Sequence, residues 1–402
     1  MRILLVTQYF YPETFKGNDI AFELTKRGHK VDVLCGIPNY PNGSYTMGYG
    51  IFKKRRETIN GVNIYRTFQF PRGKSSKFMM ILNYFSFPFC ACFYILFFFV
   101  WRKYDVVFVQ QLSPIFQALP AVLIKKLKNI PLYMWVLDIW PDALKSAAGI
   151  KNEILIGTVD KVVKYIYNNC EEILISSRRF EPLIVSKGEY KDKIVYFPNW
   201  SDDILRMPQE YELPKLPNGF RIMIAGNLGK SQNLEAVTEV MLGLKNIPEV
   251  KWVFVGGGSR KEWLEHFIKD NDLSNSAVCV GQYPFKAMPA FFRQANAMLV
   301  TLRAGFPHLE AVVPARLQSY MSAGRPVLAM IGCGGADIIQ ESKCGYAVPA
   351  GDSVALIKII KENVLTNQVA FEQMGKSGRK YYDDNYRMDM CIDNLEKIIG
   401  DK

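Results

Sequence analysis

The chain has 402 residues, 49% of them hydrophobic and 13% aromatic, so it is long and apolar enough for two or three globular domains. Its eight cysteines form no CxxC pair and its three histidines are scattered, which excludes a zinc site of usual spacing and indicates reduced thiols. The net charge of +12 lies wholly in residues 1–200, which hold 27 of the 50 Lys and Arg but 15 of the 38 Asp and Glu. We therefore expect this half to attract an anionic partner, either nucleic acid or anionic lipid.

The first predicted elements are a strand over residues 2–7, a helix over residues 19–27 and a strand over residues 31–35. A strand, a loop, a helix and a strand in this order predict a parallel sheet. No signal peptide precedes the first strand, as expected of a cytosolic chain. The loop before the helix contains Gly17, and a lone glycine in a loop is by itself a weak sign of a binding site.

Residues 36–43 have the sequence GIPNYPNG. This composition is typical of a surface loop rich in turn residues, but loops that follow strands also bind ligands. Asn39 and Tyr40 are therefore candidate binding residues, and an ordinary surface loop is the alternative.

The most unusual segment is Phe78–Trp101, which contains no charged residue. It is long enough to span a bilayer, but residues 31–35 and 105–109 are predicted strands of one sheet, so its two ends must lie on one side of a membrane. Pro88 is expected to break the segment in the middle. Two interpretations remain: a helical hairpin that enters one leaflet, or a pair of helices buried against the sheet.

Basic residues flank this segment and suit anionic headgroups; they are Arg72, Lys74, Lys77, Arg102 and Lys103. A continuous aromatic and apolar segment with basic flanks is typical of a membrane interface. RNA-binding platforms instead expose a few aromatic residues among basic ones. We therefore predict an anionic membrane surface as a partner, and no nucleic acid.

Asp138 directly follows a predicted buried strand, Leu132–Leu137. Ligand sites of α/β domains form at the carboxyl ends of parallel strands, so Asp138 is a candidate functional carboxylate. The alternative is that it caps the following helix.

Residues 201–218 contain three prolines and mixed charges, which predicts a linker. A second α/β domain follows, in which the strand Arg221–Ala225 leads into the turn Gly226–Gly229. The strand Val250–Val255 leads into a second glycine cluster. A turn and a helix N-terminus at the end of a strand suit a diphosphate, and glycines let the backbone approach a planar base.

The segment Val313–Ala329 contains the clearest candidate site. Its spacing predicts a helix over Leu317–Ala323, with Pro314 at the start and Pro326 after the end. An anion at the helix N-terminus would meet free N–H groups together with Arg316, which can bind a phosphate through two hydrogen bonds. The alternative is an ordinary joint between a helix and a strand with a surface arginine.

This segment resembles the donor-binding helix of family 4 glycosyltransferases. The matching residues are Pro314, Arg316, Gln318, Tyr320, Gly324, Arg325 and Pro326. Further stretches match in the same order over nearly the whole chain, and they are most similar to bacterial O-antigen and capsule enzymes of the N-acetylfucosaminyltransferase-like branch. The resemblance implies an α/β fold of the GT-B class, in which two Rossmann-like domains face a cleft.

The resemblance also implies the limits of the domains. We predict an acceptor- and membrane-binding domain over residues 1–200, a linker over residues 201–218, and a domain that binds a nucleotide-sugar over residues 219–380. A C-terminal helix over residues 381–402 is predicted to cross back to the first domain.

The resemblance further assigns roles to individual residues. It implies catalytic roles for Arg316, Asp138 and Glu310, and acceptor binding by Gly17, Asn39 and Tyr40. The implied donor-binding residues are Gly226, Asn227, Leu228, Gln232, Gly256, Gly257, Gln282, Tyr283, Pro314, Ala315, Arg316, Ser319 and Gly335. No metal and no cofactor other than the nucleotide-sugar co-substrate is expected.

The sequence departs from the family pattern in one respect that concerns the site. Many family members carry two glutamates spaced eight residues apart, and here those positions are Ala311 and Ser319, with Glu310 next to the first. We therefore expect the diphosphate charge to be met mainly by Arg316 and by helix N-termini.

The function that the resemblance implies is that of a retaining glycosyltransferase at the cytoplasmic face of the inner membrane. It would transfer a hexose-type sugar, such as an N-acetylated amino sugar, from a UDP-sugar to a lipid-diphosphate-linked saccharide of a surface polysaccharide. One alternative is a sugar-nucleotide epimerase of the same fold, which would not need Phe78–Trp101. The other is an inactive membrane-bound subunit of an assembly complex, which detectable donor turnover would exclude.

Overall fold

The structure, a computed structural model, describes residues 1–73, 77–144 and 152–400. The chain divides into two compact units. The first unit contains Met1–Ser176, Phe180–Phe197 and the chain from Ile392 onward, and the second contains Ser177–Arg179 and Pro198–Cys391.

The first unit is built on a sheet of eight strands among the residues described. These are β1 (Arg2–Val6), β2 (Lys30–Gly36), β3 (Arg56–Ile59), β4 (Val62–Thr67), β5 (Val106–Gln111), β6 (Leu132–Val136), β7 (Glu172–Ile175) and β8 (Ile194–Tyr196). Their spatial order is β3-β4-β2-β1-β5-β6-β7-β8, and all neighbours pair in parallel except β3 and β4 at one edge. The central strands are almost wholly apolar and buried, as a parallel sheet covered on both faces requires.

The helices of the first unit cover this sheet. They are α1 (Lys16–Lys26), α2 (Lys77–Tyr94), α3 (Leu119–Lys128), α4 (Glu153–Asn169) and the short α5 (Phe180–Val185). Helix α1 buries Ile20, Ala21 and Leu24, whose helical spacing places them on one face.

Helix α2 differs from both interpretations of the apolar segment. It passes through Pro88 without a break and continues as a π-helical turn over Ile95–Phe99, so the hairpin and the helix pair were both wrong. A proline inside a helix removes one backbone hydrogen bond, but here Phe87 and Pro88 are buried, and that packing offsets the loss.

The two faces of this continuous helix have different surroundings. The inner face packs against β2, β4 and α3 and buries residues four apart, namely Asn83, Phe87, Ala91, Ile95 and Phe99. The outer face is exposed although it is aromatic. Residues Phe78–Phe99 form a helix that is long and apolar enough to cross a membrane by length and composition, with a mean hydropathy of 1.8. Only 28% of its most apolar window is buried, so packing in the protein core accounts for one face alone.

The second unit contains a sheet of six strands in the part of the chain that is described. These are β9 (Phe220–Ala225), β10 (Val250–Val255), β11 (Ala277–Gly281), β12 (Ala297–Thr301), β13 (Val327–Met330) and β14 (Gly345–Val348). All neighbours pair in parallel in the order β11-β10-β9-β12-β13-β14. This is the 3-2-1-4-5-6 order of a Rossmann fold, in which ligands bind beside the first strand where the order reverses.

The helices of the second unit alternate with these strands. They are α6 (Leu234–Gly243), α7 (Lys261–Asp270), α8 (Met288–Gln294), α9 (Pro307–Ala311), α10 (Ala315–Ser322), α11 (Cys333–Ser342), α12 (Ser353–Ile359) and α13 (Gln368–Asn385). Helix α10 begins two residues before the predicted start, directly after Pro314. The predicted α/β class and the two Rossmann-like sheets are confirmed.

Two predicted boundaries look different in the structure. Residues 201–218 were predicted to be a linker, but Leu205 and Leu216 are buried in the core of the second unit. The last helix is α14 (Met388–Gly400), separate from α13, and its residues from Ile392 belong to the first unit. There Arg27 Nη1 donates to Asp393 Oδ1 at 2.5 Å and to Glu396 Oε2 at 2.6 Å, so ion pairs join α1 to the end of the chain.

Candidate active site

The predicted diphosphate helix α10 is fixed to the end of strand β9 by a buried tyrosine. The Tyr320 hydroxyl accepts a hydrogen bond from Ala225 N at 3.1 Å and donates one to Ala225 O at 3.3 Å. Tyr320 is 1% exposed, and its ring packs edge-on against Phe292. Because Ala225 is the last residue of β9, these bonds fix helix α10 beside the turn that follows the strand.

Arg316 lies against that turn. Its Nη1 donates to Gln232 Oε1 at 2.8 Å, and its Nη2 donates to the carbonyl oxygen of Asn227. Gly226 has a φ of +115°, and a Cβ at this position would lie 3.2 Å from two guanidinium nitrogens. Only glycine gives both this backbone conformation and this approach. The structure thus brings together Arg316, Gly226, Asn227 and Gln232, four of the predicted donor-binding residues.

The electrostatics of this group favour an anion. Burial lowers the pKa of Arg316, but a guanidinium remains protonated in proteins. Among the residues described, no carboxylate forms an ion pair with Arg316. The positive end of the α10 dipole lies at the same place. A half-buried cation whose present partners are neutral amide oxygens can exchange them for the oxygens of a phosphate.

A second glycine turn follows β10 and adjoins the first. Leu228 N donates to Gly257 O at 2.7 Å, and Gly256 N donates to Gly281 O at 2.8 Å, so three successive strand ends are joined by backbone hydrogen bonds. A Cβ at Gly257 would lie 2.6 Å from Gln282 Nε2, which places these two predicted donor-binding residues side by side. Tyr283 is half-buried, with its ring centroid 4.8 Å from that of Phe291.

Glu310 occupies a different part of the second unit. It lines a cavity of about 470 Å³ together with Ala304, Ile331, Gly332, Cys333 and the segment after β14. Its Oε1 accepts a hydrogen bond from Gly305 N at 3.1 Å. Arg316 does not line this cavity. Pro314, another predicted donor-binding residue, packs against Gly335 in helix α11. A Cβ at Gly335 would lie 3.1 Å from Pro314 Cδ.

Ser319 stands at the position of one of the two family glutamates. Its hydroxyl has hydrogen-bond partners within the protein. Its Oγ donates to Ala315 O at 3.1 Å and accepts from Ser201 Oγ at 3.2 Å. Ser319 and Ala315 therefore form part of the frame of helix α10, in addition to any contact that they make with a donor.

In the first unit, Asp138 lies among side chains that follow β5 and β6. Its Oδ2 accepts a hydrogen bond from Ser113 Oγ at 2.6 Å, and Ser113 Oγ in turn accepts one from Trp140 Nε1 at 3.2 Å. Burial raises the pKa of Asp138, and the bond from Ser113 opposes that shift. Among the residues described, the Asp138 carboxylate accepts its hydrogen bond from the Ser113 side chain. In that part of the chain it does not cap the following helix, which was the alternative interpretation.

The GIPNYPNG loop is held by a buried glutamate that the sequence analysis did not single out. Glu13 Oε1 accepts hydrogen bonds from Asn39 N and Tyr40 N, both at 2.6 Å. The Asn39 side chain is fully buried and bonded within the protein, through its Nδ2 to Ile37 O and through its Oδ1 from Arg72 N. Asn39 thus organises the loop, whereas Tyr40 remains 43% exposed.

The close packing around Gly17 explains why a glycine is needed at this position. Its N–H donates to Gln110 Oε1 at 2.9 Å, and a side chain at Gly17 would collide with that oxygen. This contact joins the start of α1 to the end of β5, which is the place where the order of the strands reverses in the first sheet.

Residues 210–381 match the family model "Glycosyl transferases group 1". The chain carries a group 1 glycosyltransferase domain. It is 24% identical over 343 residues to the putative colanic acid biosynthesis glycosyl transferase WcaI of Escherichia coli K12, which covers 81% of this chain and 82% of that protein. It is also 24% identical over 282 residues to the probable glycosyltransferase WbjE of Pseudomonas aeruginosa, covering 66% and 68%.

Solved structures of glycosyltransferases share the fold over the whole chain. Sucrose-phosphate synthase of Thermosynechococcus elongatus superposes with a TM-score of 0.75 at 15% identity, covering 99% of this chain and 98% of that one. The Anabaena protein Alr3699/HepE, solved in complex with UDP-glucose, gives 0.70 at 13% identity, with full coverage of both chains. The predicted resemblance and the GT-B fold are confirmed. The group 1 domain contains the Arg316 group, both glycine turns and Glu310.

Three residues of the first unit escaped the sequence analysis as site residues, because each is a single polar residue without a motif. Glu13 holds the loop, and Asn83 bonds to Gln8 and Tyr9 from the inner face of α2. Ser113 is the partner of Asp138. Of the three, Asn83 could have been identified from the sequence, because it is an amide side chain within the apolar segment.

The first prediction concerns the pH dependence of stability. Burial raises the pKa of Glu13 from its ordinary 4.5 to about 7. Between these values the folded state keeps the proton that the unfolded state has lost, so stability falls as the pH rises through this window. The wild type should therefore lose about 3 kcal/mol of unfolding free energy between about pH 5 and pH 8. We expect Glu13→Gln to remove this loss.

Urea unfolding at both pH values measures this difference. The matched control is Glu189→Gln, since Glu189 is an exposed glutamate of the same unit. An unchanged pH dependence in Glu13→Gln would mean that Glu13 is ionised in the folded protein.

Proposed function

We propose that the chain transfers a sugar with retention of configuration from a nucleotide-sugar, specifically a UDP-sugar, to a lipid-diphosphate-linked saccharide during surface polysaccharide synthesis. The second unit binds the donor. The first unit binds the acceptor and contacts the cytoplasmic face of the inner membrane.

The observation that carries the donor part is Arg316 beside the Gly226 turn. The guanidinium, the dipole of α10 and the turn after β9 converge at the switch point of a Rossmann sheet. This is the arrangement that dinucleotide and phosphate sites use. The adjoining pair of Gly257 and Gln282 offers backbone and amide groups to the base.

The names of relatives support the class of product. WcaI is named for colanic acid, and AmsK of Erwinia amylovora, 25% identical over 198 residues that cover 47% of this chain and 46% of that protein, is named for amylovoran. HepE was solved with UDP-glucose. We extend these properties, a UDP-sugar donor and a surface polysaccharide product, to this chain as part of the proposal.

The proposed chemistry places the developing charge on the leaving group. The bond between the anomeric carbon and the diphosphate oxygen breaks, and the acceptor hydroxyl forms the new bond on the same face and gives its proton to the diphosphate. Arg316 and the N–H groups of α10 stabilise the departing diphosphate. Glu310 contacts the donor sugar, and Asp138, held by Ser113, orients an acceptor hydroxyl.

The membrane part rests on a surface that we call the aromatic face. It consists of the exposed side chains Phe85, Phe89, Phe93, Phe97 and Trp101, which are 49% to 83% exposed. Arg56, at the start of β3, contacts the same helix: its Nε donates to Tyr94 OH at 3.0 Å and its guanidinium lies 5.2 Å from the Phe98 ring. The loop before β3 exposes two further apolar side chains, Met47 and Phe52, each 95% exposed.

The charge around the aromatic face suits anionic headgroups. The loop continues into the basic run Lys53–Arg56, and the exposed Lys103 follows the helix, whereas Arg102 pairs with Asp32. Of the other flanking residues, Lys74 and the side chain of Lys77 lie outside what the structure describes. An apolar face with basic neighbours is the composition of an interfacial helix.

The donor site can be tested by calorimetric binding of UDP to the wild type and to Arg316→Ala. We expect UDP to bind the wild type more tightly than GDP or ADP. The substitution should weaken UDP binding about tenfold or more, because it removes a charge-assisted hydrogen bond to phosphate.

The matched control is Arg293→Ala, an exposed arginine of α8 in the same unit, which should bind UDP as the wild type does. If Arg316→Ala also bound like the wild type, the diphosphate site would lie elsewhere. If no nucleotide bound the wild type, an inactive subunit would become the better proposal.

The membrane contact can be tested by vesicle flotation. A double variant, Phe89→Ser with Phe97→Ser, should bind phosphatidylglycerol-containing vesicles about tenfold or more weakly, because each exposed ring loses apolar surface to bury. Binding of the wild type should fall in pure phosphatidylcholine and at high salt.

Phe285→Ser is the control for this experiment, since Phe285 is a half-exposed aromatic residue of the second unit. Wild-type binding by the double variant would contradict the contact.

A further inference from the structure

Arg72 is held between two tyrosine rings in the first unit. Its guanidinium carbon lies 5.8 Å from the ring centroid of Tyr40 and 5.9 Å from that of Tyr84. Its backbone N–H donates to Asn39 Oδ1 at 3.0 Å. Tyr40 belongs to the loop held by Glu13, and Tyr84 belongs to α2, so Arg72 is fixed where the predicted acceptor loop meets the apolar helix.

The charge of Arg72 is not neutralised within the described chain. Four other arginines of this unit pair with carboxylates: Arg2 and Arg102 with Asp32, Arg27 with Glu396, and Arg66 with Glu57. No carboxylate among the residues described lies within ion-pair distance of Arg72. Oε1 of Glu13 is occupied by two backbone donors of the loop, and in the described chain no ion pair joins Glu13 to Arg72. The half-buried guanidinium therefore keeps its side-chain donors for a ligand.

The surroundings of Arg72 indicate the kind of ligand. A planar guanidinium binds two phosphate oxygens side by side, and stacking on tyrosine faces holds its plane while leaving its N–H edge open. Helix α2 starts five residues later and exposes Phe78, Ile81 and Phe85 along its first turns. An anion and an apolar chain can thus bind next to each other.

Tyr84 is coupled electrostatically to Arg72 and to Asp138. Burial raises the pKa of Tyr84, Arg72 opposes that rise and the Asp138 carboxylate adds to it.

We propose that Arg72 binds the diphosphate of a long-chain alcohol that carries the acceptor saccharide, with the chain lying along the aromatic face of α2. This inference rests on the proposed function, which supplies the lipid-linked acceptor. The chemistry that is recognised is a phosphate ester on an apolar chain. Two sources offer it, the acceptor lipid and bulk anionic phospholipid, and we assign Arg72 to the acceptor lipid.

The test uses the full chain saturated with UDP, so that the donor site is filled, and titrates it with farnesyl diphosphate. We expect Arg72→Gln to weaken this binding about tenfold or more, since a charge-assisted contact is lost. Arg72→Lys should recover part of the affinity. Farnesol, which lacks the phosphates, should bind the wild type and Arg72→Gln equally.

Separate arms distinguish the two sources of phosphate. Flotation with phosphatidylglycerol vesicles should be nearly unchanged in Arg72→Gln and reduced in the control Lys103→Gln, an exposed lysine beside the aromatic face. Farnesyl diphosphate binding should show the reverse pattern. If Arg72→Gln lost vesicle binding while keeping farnesyl diphosphate affinity, Arg72 would be a general headgroup contact and the proposal would fail.

Two further outcomes would also overturn the proposal. One is wild-type farnesyl diphosphate affinity in Arg72→Gln; the other is loss of that affinity in Arg316→Ala, which would place the ligand in the donor site. UDP binding measured on each variant reports on the proposed function separately, because it does not involve Arg72.

Discussion

The pair of hydrogen bonds between the Tyr320 hydroxyl and Ala225 is the interaction on which the proposed donor site depends. It joins a helix to the end of a strand that lies far away in the sequence. With that joint in place, Arg316 reaches Asn227 and Gln232, and Gly226 is required because its backbone approaches the guanidinium. Without it, the dipole of α10 and the guanidinium would have no fixed relation to the glycine turns. Electrostatic stabilisation needs such preorganised groups, since donors that must first reorient lose much of their effect.

The first unit combines buried polar groups with an exposed apolar surface. Helix α2 directs Asn83 inward to Gln8 and Tyr9 and presents aromatic rings outward. Glu13 holds the neighbouring loop by accepting two backbone hydrogen bonds, and Arg72 stacks between that loop and the helix. A carboxyl that is this buried prefers its neutral form. The loop is therefore held by a group whose charge depends on pH near neutrality.

Much of the fold could be predicted because local patterns determine it. Apolar strands followed by glycine turns and amphipathic helices predicted two parallel sheets, and the stop at Gly324 and Pro326 predicted the end of α10. The apolar segment was misread at Pro88, because the cost of a proline in a helix is local while the packing that offsets it is tertiary. In the proposed donor site, Arg316 and the glycines of the two turns belong to sequence motifs that can be recognised. Glu13, Ser113 and Arg72 do not, since their roles come from contacts with residues distant in sequence, such as Asp138 and Tyr84.

The measurement that tests the central claim most directly is a crystal structure of the protein with UDP. We expect diphosphate oxygens within about 3 Å of the Arg316 guanidinium, with phosphate replacing the Gln232 side chain as its partner. We also expect the uracil ring beside Gly257 and Gln282. A diphosphate bound in the cavity lined by Glu310, with Arg316 still bonded to Gln232, would contradict this expectation.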